Sequence, residues 1–326
     1  MSANDSSKGA RAFADQFKLA KVDDRTYQSI APPFSVKGRT QAYGGHVFAQ
    51  AAWAAAQTVQ LGFVIHNISG YFILPGDAEI PFTYHIKQVR NGRSYCLRSV
   101  SVIQARDKGP CFTCTISFKR PEPNRLEIHS PSNPHQRFSS VLGSRHPSSF
   151  PKAPGMDVPW YKRLAREGLV DAFPGLHTRE VNMEAWNRDK EMWKKRQLYF
   201  YSVIGKMPSV EDEANLHVIA HLYACDHNAL FLVPNLLGKG GEVDAMASLQ
   251  ISVVMQGGVG DWDMGSKGNE RWFCQESGVS WIGDGRALHE SKIWSPEGRL
   301  VATTRQEGMV RLNKDAEETV VGVPKL

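Results

Sequence analysis

The chain lacks any apolar run long enough to cross a membrane. Its best candidate, Ala229–Leu237, is short and broken by Pro234 and Asn235, against the ~20 residues a spanning helix needs. The opening residues, Met1-Ser-Ala-Asn-Asp-Ser-Ser-Lys8, lack the apolar stretch of a secretory signal. Both absences predict a soluble intracellular protein without stable membrane insertion. Cysteine is scarce: five residues, at 96, 111, 114, 225 and 274, are an odd number at irregular spacing and imply no disulfide framework. Cys111-Phe-Thr-Cys114 has the spacing of a metal or redox pair. It lies in a strand-like run, where residues three apart face opposite sides, and no second pair completes a zinc site. Small core residues, and no metal, are the expectation. Charge of one sign is not concentrated either. Lys and Arg total 39 against 33 Asp and Glu, a net +6, and the only dense run is Lys194-Lys195-Arg196. That distribution excludes a nucleic-acid stripe and suits a small polyanionic ligand.

Familiar catalytic signatures are missing too. There is no Gly-x-Ser-x-Gly elbow and no His-Glu-x-x-His, since His289-Glu290 continues Ser-Lys-Ile. Gly238-Lys-Gly-Gly241 lacks P-loop spacing, and Gly283-Asp-Gly285-Arg-Ala-Leu288 fails the third glycine of a dinucleotide fingerprint. No cofactor is expected.

What is present is globular. Hydrophobic residues make up 41% of the chain. Its 326 residues exceed the ~250–300 at which a single core stops growing, which favours two packed units. Gly44-Gly45 opens the alanine-rich His46–Val59, a helix whose small side chains let neighbours close in on several sides. Four β-rich runs follow: Asn67–Ile73, Ile80–Arg90, Arg93–Gln104 and Phe112–Arg120, with Asn91-Gly92 as a hairpin signal. Residues 121–160 hold 8 of the 18 prolines and read as a linker or wrapping segment. Strand-like Thr178–Met183 and Gln197–Ile204 precede Leu216–Val233, apolar nearly all round and read as one buried helix. Ala247–Met255, Trp272–Ile282, Arg286–Ser295 and Leu300–Arg311 then read as strands. Both halves thus run helix, then four strands. Gly92-Arg93 echoes Gly285-Arg286, and Val47-Phe-Ala-Gln50 can be laid on Tyr223-Ala-Cys-Asp226. The expected fold is α+β: a double hotdog, two repeats of an antiparallel sheet wrapped around a central helix. The expected boundaries are a flexible tail over 1–22, hotdogs over 23–120 and 175–315, the Pro-rich segment over 121–174 and a C-terminal tail over 316–326.

Three polar residues stand in runs that should be dry. Asp226 follows Val218–Cys225, Gln306 interrupts the last strand, and Ser248 begins the strand after the second helix. A buried carboxylate is costly and, with a raised pKa, is a natural general base. The residues alone equally fit structural roles: a cap, an edge-strand side chain, an ordinary surface serine. At the first helix, Gly45, His46 and Gln50 are candidates for ligand contact, because backbone amides at a helix N-terminus favour anions.

Ala42-Tyr-Gly-Gly-His-Val-Phe-Ala-Gln-Ala, Gly70-Tyr-Phe-Ile-Leu-Pro-Gly-Asp77, Val89-Arg-Asn-Gly-Arg-Ser94, Ala224-Cys-Asp-His-Asn-Ala-Leu230 and Thr304-Arg-Gln-Glu-Gly-Met-Val-Arg311 resemble the acyl-CoA thioesterase II family, in the family's order. The resemblance covers about 23–120 and 175–312. It implies hydrolysis of fatty acyl-CoA to free acid and CoA, a homo-oligomer, and catalysis by Asp226, Ser248 and Gln306. The chain departs from the family after Ser248, where Leu249-Gln-Ile-Ser-Val-Val-Met-Gln256 replaces the usual Asp-His and later aromatic-His pairs. A hotdog enoyl-CoA hydratase is one rival, but Asp226-His-Asn-Ala-Leu-Phe231 has Phe where that motif needs its His. A non-catalytic acyl-CoA-binding protein is the other. CoA phosphates suit guanidinium forks, and Arg90, Arg93 and Arg286 at strand ends are the first candidates. The last residues, Pro324-Lys325-Leu326, are a variant of the Ser-Lys-Leu address, implying recognition by the peroxisomal import receptor, with a cytoplasmic location as the alternative.

Overall fold

The computed structural model describes residues 11–36, 40–105, 109–123, 128, 133–170 and 172–313. The N-terminal half contains β1 (Leu19–Asp23), β2 (Thr26–Ser29), α1 (Gly44–Ala56), β3 (Val64–Phe72), β4 (Thr83–Asn91), β5 (Tyr95–Ile103) and β6 (Phe112–Lys119). After helix α2 (Pro159–Arg166), the second half repeats the order. It consists of β7 (Leu176–Val181), β8 (Gln197–Val203), α3 (Ala214–Cys225), β9 (Val243–Met255), β10 (Phe273–Gly283), β11 (Arg286–Trp294) and β12 (Leu300–Leu312). The strands form one antiparallel sheet in the order β1-β2-β4-β5-β6-β3-β9-β12-β11-β10-β8-β7. Read outward from the central β3–β9 pair, the two halves have the same topology, which is the expected double hotdog.

α1 and α3 lie side by side and antiparallel inside the curve of this sheet. Ala49, Ala51, Ala52, Ala54 and Ala55 are all fully buried, because α1 is closed in by the sheet and by α3 together. The Tyr43 hydroxyl, at the N-cap of α1, donates to Tyr223 O at 2.7 Å, tying the start of α1 to the end of α3. At the opposite end Asn215 brackets the start of β3, accepting from Ile65 N–H and donating to Phe63 O, each at 2.9 Å. One core spans both halves. It contains Phe48, Ile65, Phe112 and Ile116 as well as Val218, Leu222, Ile251 and Phe273, each large side chain contributing roughly 1.5–3 kcal/mol by leaving water.

Pairing irregularities mark equivalent places in the two repeats. The register shifts between Ile65 and Asn67 on β3, and opposite Glu307 and Gly308 on the β9–β12 pair. Aligning these bulges sets Ile65 on Ser248 and Ile116 on Gln306. The next strand out then sets Arg98 on His289, since Arg98 pairs with Ile116 and His289 with Gln306.

Three expectations need correction. The tail expected over 1–22 ends earlier in its described part: Phe13 and Phe17 are fully buried against Tyr223 and β1 begins at Leu19, so apolar side chains anchor what composition reads as loose. The single helix expected over Leu216–Val233 stops at Cys225 with Asp226 as its C-cap. Asn228 adopts φ +58°, a left-handed conformation that asparagine tolerates, and a short helix restarts at Leu232. The Pro-rich segment is packed rather than free: Phe138, Leu142 and Phe150 bury against Leu198, Phe200, Trp272 and Trp294 on the outer sheet face. Arg137 is anchored by an ion pair to the buried Glu276. This second cover explains why β8 is apolar on both faces.

Candidate active site

Helix ends make the site. Asp226, directly after the last turn of α3, faces the first turn of α1. The Gly45 N–H donates to its carboxylate, and Gly44, lacking a side chain, lets the helix approach; a Cβ there would lie 3.2 Å from Asp226 Oδ2 and 3.0 Å from Phe72. From the sheet, Gln306 Nε2 donates to Asp226 Oδ1 at 2.7 Å and to Ser248 Oγ at 2.8 Å. The Ser248 hydroxyl also bonds the carboxylate. Burial pushes Asp226 up from 3.8 to about 6, against the pull of these three donors. The N-terminal end of α1 supports the anion while the C-terminal end of α3 opposes it. The three polar oddities of the sequence are therefore one hydrogen-bonded cluster, at the border of a cavity of about 550 Å³.

The rest of the cavity lining brings apolar side chains and polar groups together from distant parts of the chain. Phe34, Val36, Leu230, Phe231 and Met246 contribute, as do Met156, Val158, Trp160 and Arg163 from the Pro-rich segment and α2. Asn228 holds that segment: Asp157 N–H donates to its Oδ1 at 2.8 Å and its Nδ2 donates to Pro154 O at 2.9 Å. Sequence reading missed this wall. The only available signal was Pro159 at the first position of a short helix, which says nothing of where the helix docks.

Other sequence candidates lie elsewhere. His46 and Gln50, one turn apart on α1, face the interior. His46 stacks on Phe17 with ring centroids 5.0 Å apart, and burial lowers its pKa to about 4. Gln50 accepts from the Tyr84 hydroxyl at 2.6 Å. Neither borders the cavity, so α1 enters the site through its backbone alone. Arg90 and Arg93 flank the β4–β5 turn, at the end of α1 opposite Gly44, roughly 20 Å away along a 13-residue helix. The structure does not bring them to the cavity. Arg286 lies at the sheet end that carries Ala247, two strands across; its guanidinium pairs with Glu307 at 2.7 Å. The departure after Ser248 also has a place: Gln250 and Ser252 bond Ser69 of β3 at 3.1 and 2.8 Å, stitching the halves together. Cys225, beside Asp226, is fully buried with its thiol on Leu222 O at 3.0 Å, and burial raises its pKa.

The acyl-CoA thioesterase N-terminal domain model matches residues 32–119 and the acyl-CoA thioesterase C-terminal domain model matches 147–310. The chain belongs to the acyl-CoA thioesterase II family. The second match begins inside the Pro-rich segment, well before residue 175, consistent with that segment being part of the folded unit. Acyl-coenzyme A thioesterase 8 of Mus musculus is 25% identical over 299 residues, 85% of this chain and 82% of its own length. Peroxisomal acyl-coenzyme A thioester hydrolase 1 of Saccharomyces cerevisiae is 36% identical over 101 residues, 31% of this chain and 28% of its own. Among solved structures, an acyl-CoA thioesterase II from Mycobacterium marinum has the same fold, with a TM-score of 0.68 at 21% identity over 93% of this chain and 100% of that one.

Proposed function

We propose that this thioesterase hydrolyses fatty or related acyl-CoA to free acid and CoA by direct attack of water, with Asp226 as base. The observation that carries the reading is a carboxylate with a pKa of about 6 lining a cavity that offers both apolar side chains and polar groups. Above that pH it is a base tuned to accept a proton from water. Gln306 directs its amide to both Asp226 and Ser248. It therefore organises the two groups, and water is held between the carboxylate and the serine oxygen. Gly45 N–H is engaged by Asp226 and His46 N–H by Tyr43 O. Gly44 N–H, in the first helical turn and bordering the cavity, is the donor left for the oxyanion. The acyl chain lies along Val158, Trp160, Leu230 and Met246, and Arg163 at the same wall takes a CoA phosphate, with Arg286 as a second candidate. Release of free thiol from a panel of acyl-CoA chain lengths tests the reading, and absence of thiol release from every length refutes it.

The family resemblance further supports a homo-oligomer, which light scattering on the purified chain checks. Peroxisomal import rests on Pro324-Lys325-Leu326, outside the described residues, and on the similarity to the peroxisomal thioester hydrolase of Saccharomyces cerevisiae.

A further inference from the structure

The C-terminal half contains a buried histidine that this mechanism does not use. His289 on β11 is directly opposite Gln306 on β12, and the two are each 1% exposed. Cross-strand partners on one face bring their Cβ atoms within ~4.5–5.5 Å. Both His289 ring nitrogens lack a hydrogen-bond partner, and so do Gln306 Oε1 and Thr304 Oγ1 on the facing strand. Ser291, the next inward residue of β11, is already engaged by Ser277 at 2.9 Å. The unmatched groups are complementary: one ring N–H for the amide oxygen, one ring nitrogen for the threonine hydroxyl. Unpaired, each would cost roughly 1–3 kcal/mol.

The internal repeat gives an independent direction. Arg98, at the equivalent position of the N-terminal half, reaches across to Thr58, just past the end of α1, with bonds of 3.0 and 2.9 Å to its hydroxyl and carbonyl oxygens. The matching place past the end of α3 is His227, next to Asp226, which as C-cap corresponds to Gln57. A side chain at position 289 is therefore aimed at the catalytic end of its helix. An amide has two faces, and only the one that turns the NH₂ toward Asp226 and Ser248 serves the site.

We propose that His289 is a positioning residue for Gln306: its ring N–H serves Gln306 Oε1, directly or through one water, and so fixes the amide with its NH₂ toward Asp226 and Ser248. Burial lowers the imidazole pKa to about 4, so the ring is neutral at working pH with one donor and one acceptor. This rests on the hydrolase reading above. The test is steady-state hydrolysis of the best acyl-CoA by the full chain. H289L is expected to lose about tenfold in kcat, the value of one hydrogen bond, with KM unchanged and a melting temperature equal or higher. H289N, which restores a donor, is expected to recover most of the rate. In a Q306A background H289L is expected to cost nothing further, because the group it positions is gone. Full kcat in H289L, or equal losses with and without Gln306, overturns the proposal while leaving the hydrolase reading intact. Should H289L fail to fold, H289N decides alone: a kcat near wild type supports the proposal, and a tenfold loss with an unchanged melting temperature overturns it. A wild-type chain that releases no thiol overturns both.

Discussion

Asp226→Asn separates activity from stability in opposite directions. The substitution keeps the shape of the side chain and removes the base, so turnover should fall ~10²–10⁴-fold. Stability should move the other way. The folded-state pKa is about 6 against 3.8, a gap equivalent to ~3 kcal/mol of penalty on the charged form. The sign follows from linkage. An acid raised by folding has its stability fully present below about pH 4 and loses it as pH climbs through about 6. Wild type therefore carries the penalty at pH 8 and escapes it at pH 4, whereas the amide carries none at either. The full ~3 kcal/mol is a ceiling, because the new NH₂ faces the Gly45 N–H and the Ser248 hydroxyl, donors that the carboxylate now accepts from. Thermal unfolding of both proteins from pH 4 to 8 reads this directly. The variant should melt several degrees higher at pH 8, with the difference closing below pH 5. A variant that melts lower at pH 8, or that retains near-normal hydrolysis, would refute the assignment of Asp226 as a desolvated base.

The wild-type rate should rise with pH through about 6 and level off, and Gln306→Ala, which removes a donor to the charged form, should push that rise to higher pH. Gln306→Ala and Ser248→Ala should each lose less than Asp226→Asn, and the double variant less than the product of the two, since all three groups form one cluster. Cys225→Ser should leave turnover largely intact, as a buried thiol with a raised pKa is a poor nucleophile; loss of activity there would indicate a covalent route. Asn228→Ala loses both bonds to residues 154–157 and leaves alanine at φ +58°, about 3 kcal/mol together, and should raise KM for long acyl chains more than for short ones. A fluorescent reporter ending in the last ten residues should become punctate with peroxisomes; diffuse signal would favour the cytoplasm.

Much of this molecule can be read along the chain because its information is local. The alanine-rich run of α1, the Asn91-Gly92 hairpin and the alternating strands announce themselves through periodicity and turn chemistry. Asp226, Ser248 and Gln306 stand out because each is polar where its neighbours are not, and the family resemblance joins them. What could not be read depends on contacts between distant residues. Val218 to Val233 is apolar apart from His221, Asp226, His227 and Asn228, so nothing in its pattern requires a break there; the break comes from Asn228 gripping residues 154–157. His46 and Gln50 occupy the right helix, but hydropathy does not say which face of a fully buried helix meets the cavity. Arg90 and Arg93 flank the turn that corresponds to the one before Arg286 in the other repeat, and that symmetry carries them to the other end of the molecule.

The hold of Asn228 on the Pro-rich segment divides responsibilities within the protein. The proposed chemistry rests on the two helix ends and the central strands, where a shift of a fraction of an ångström would part Gln306 from its two acceptors. The outer lining, with Met156, Val158, Trp160 and Arg163, belongs to a separate stretch, seated by Asn228, by backbone bonds to Thr178 and Glu180, by Asn235 and Tyr199 on Asp157, and by buried Val158 and Tyr161. Changes in that stretch can reshape the space offered to a substrate without disturbing the catalytic cluster. On the proposed reading acyl preference can change without touching the reaction, and residues 150–166 are the segment to exchange when a different chain length is wanted.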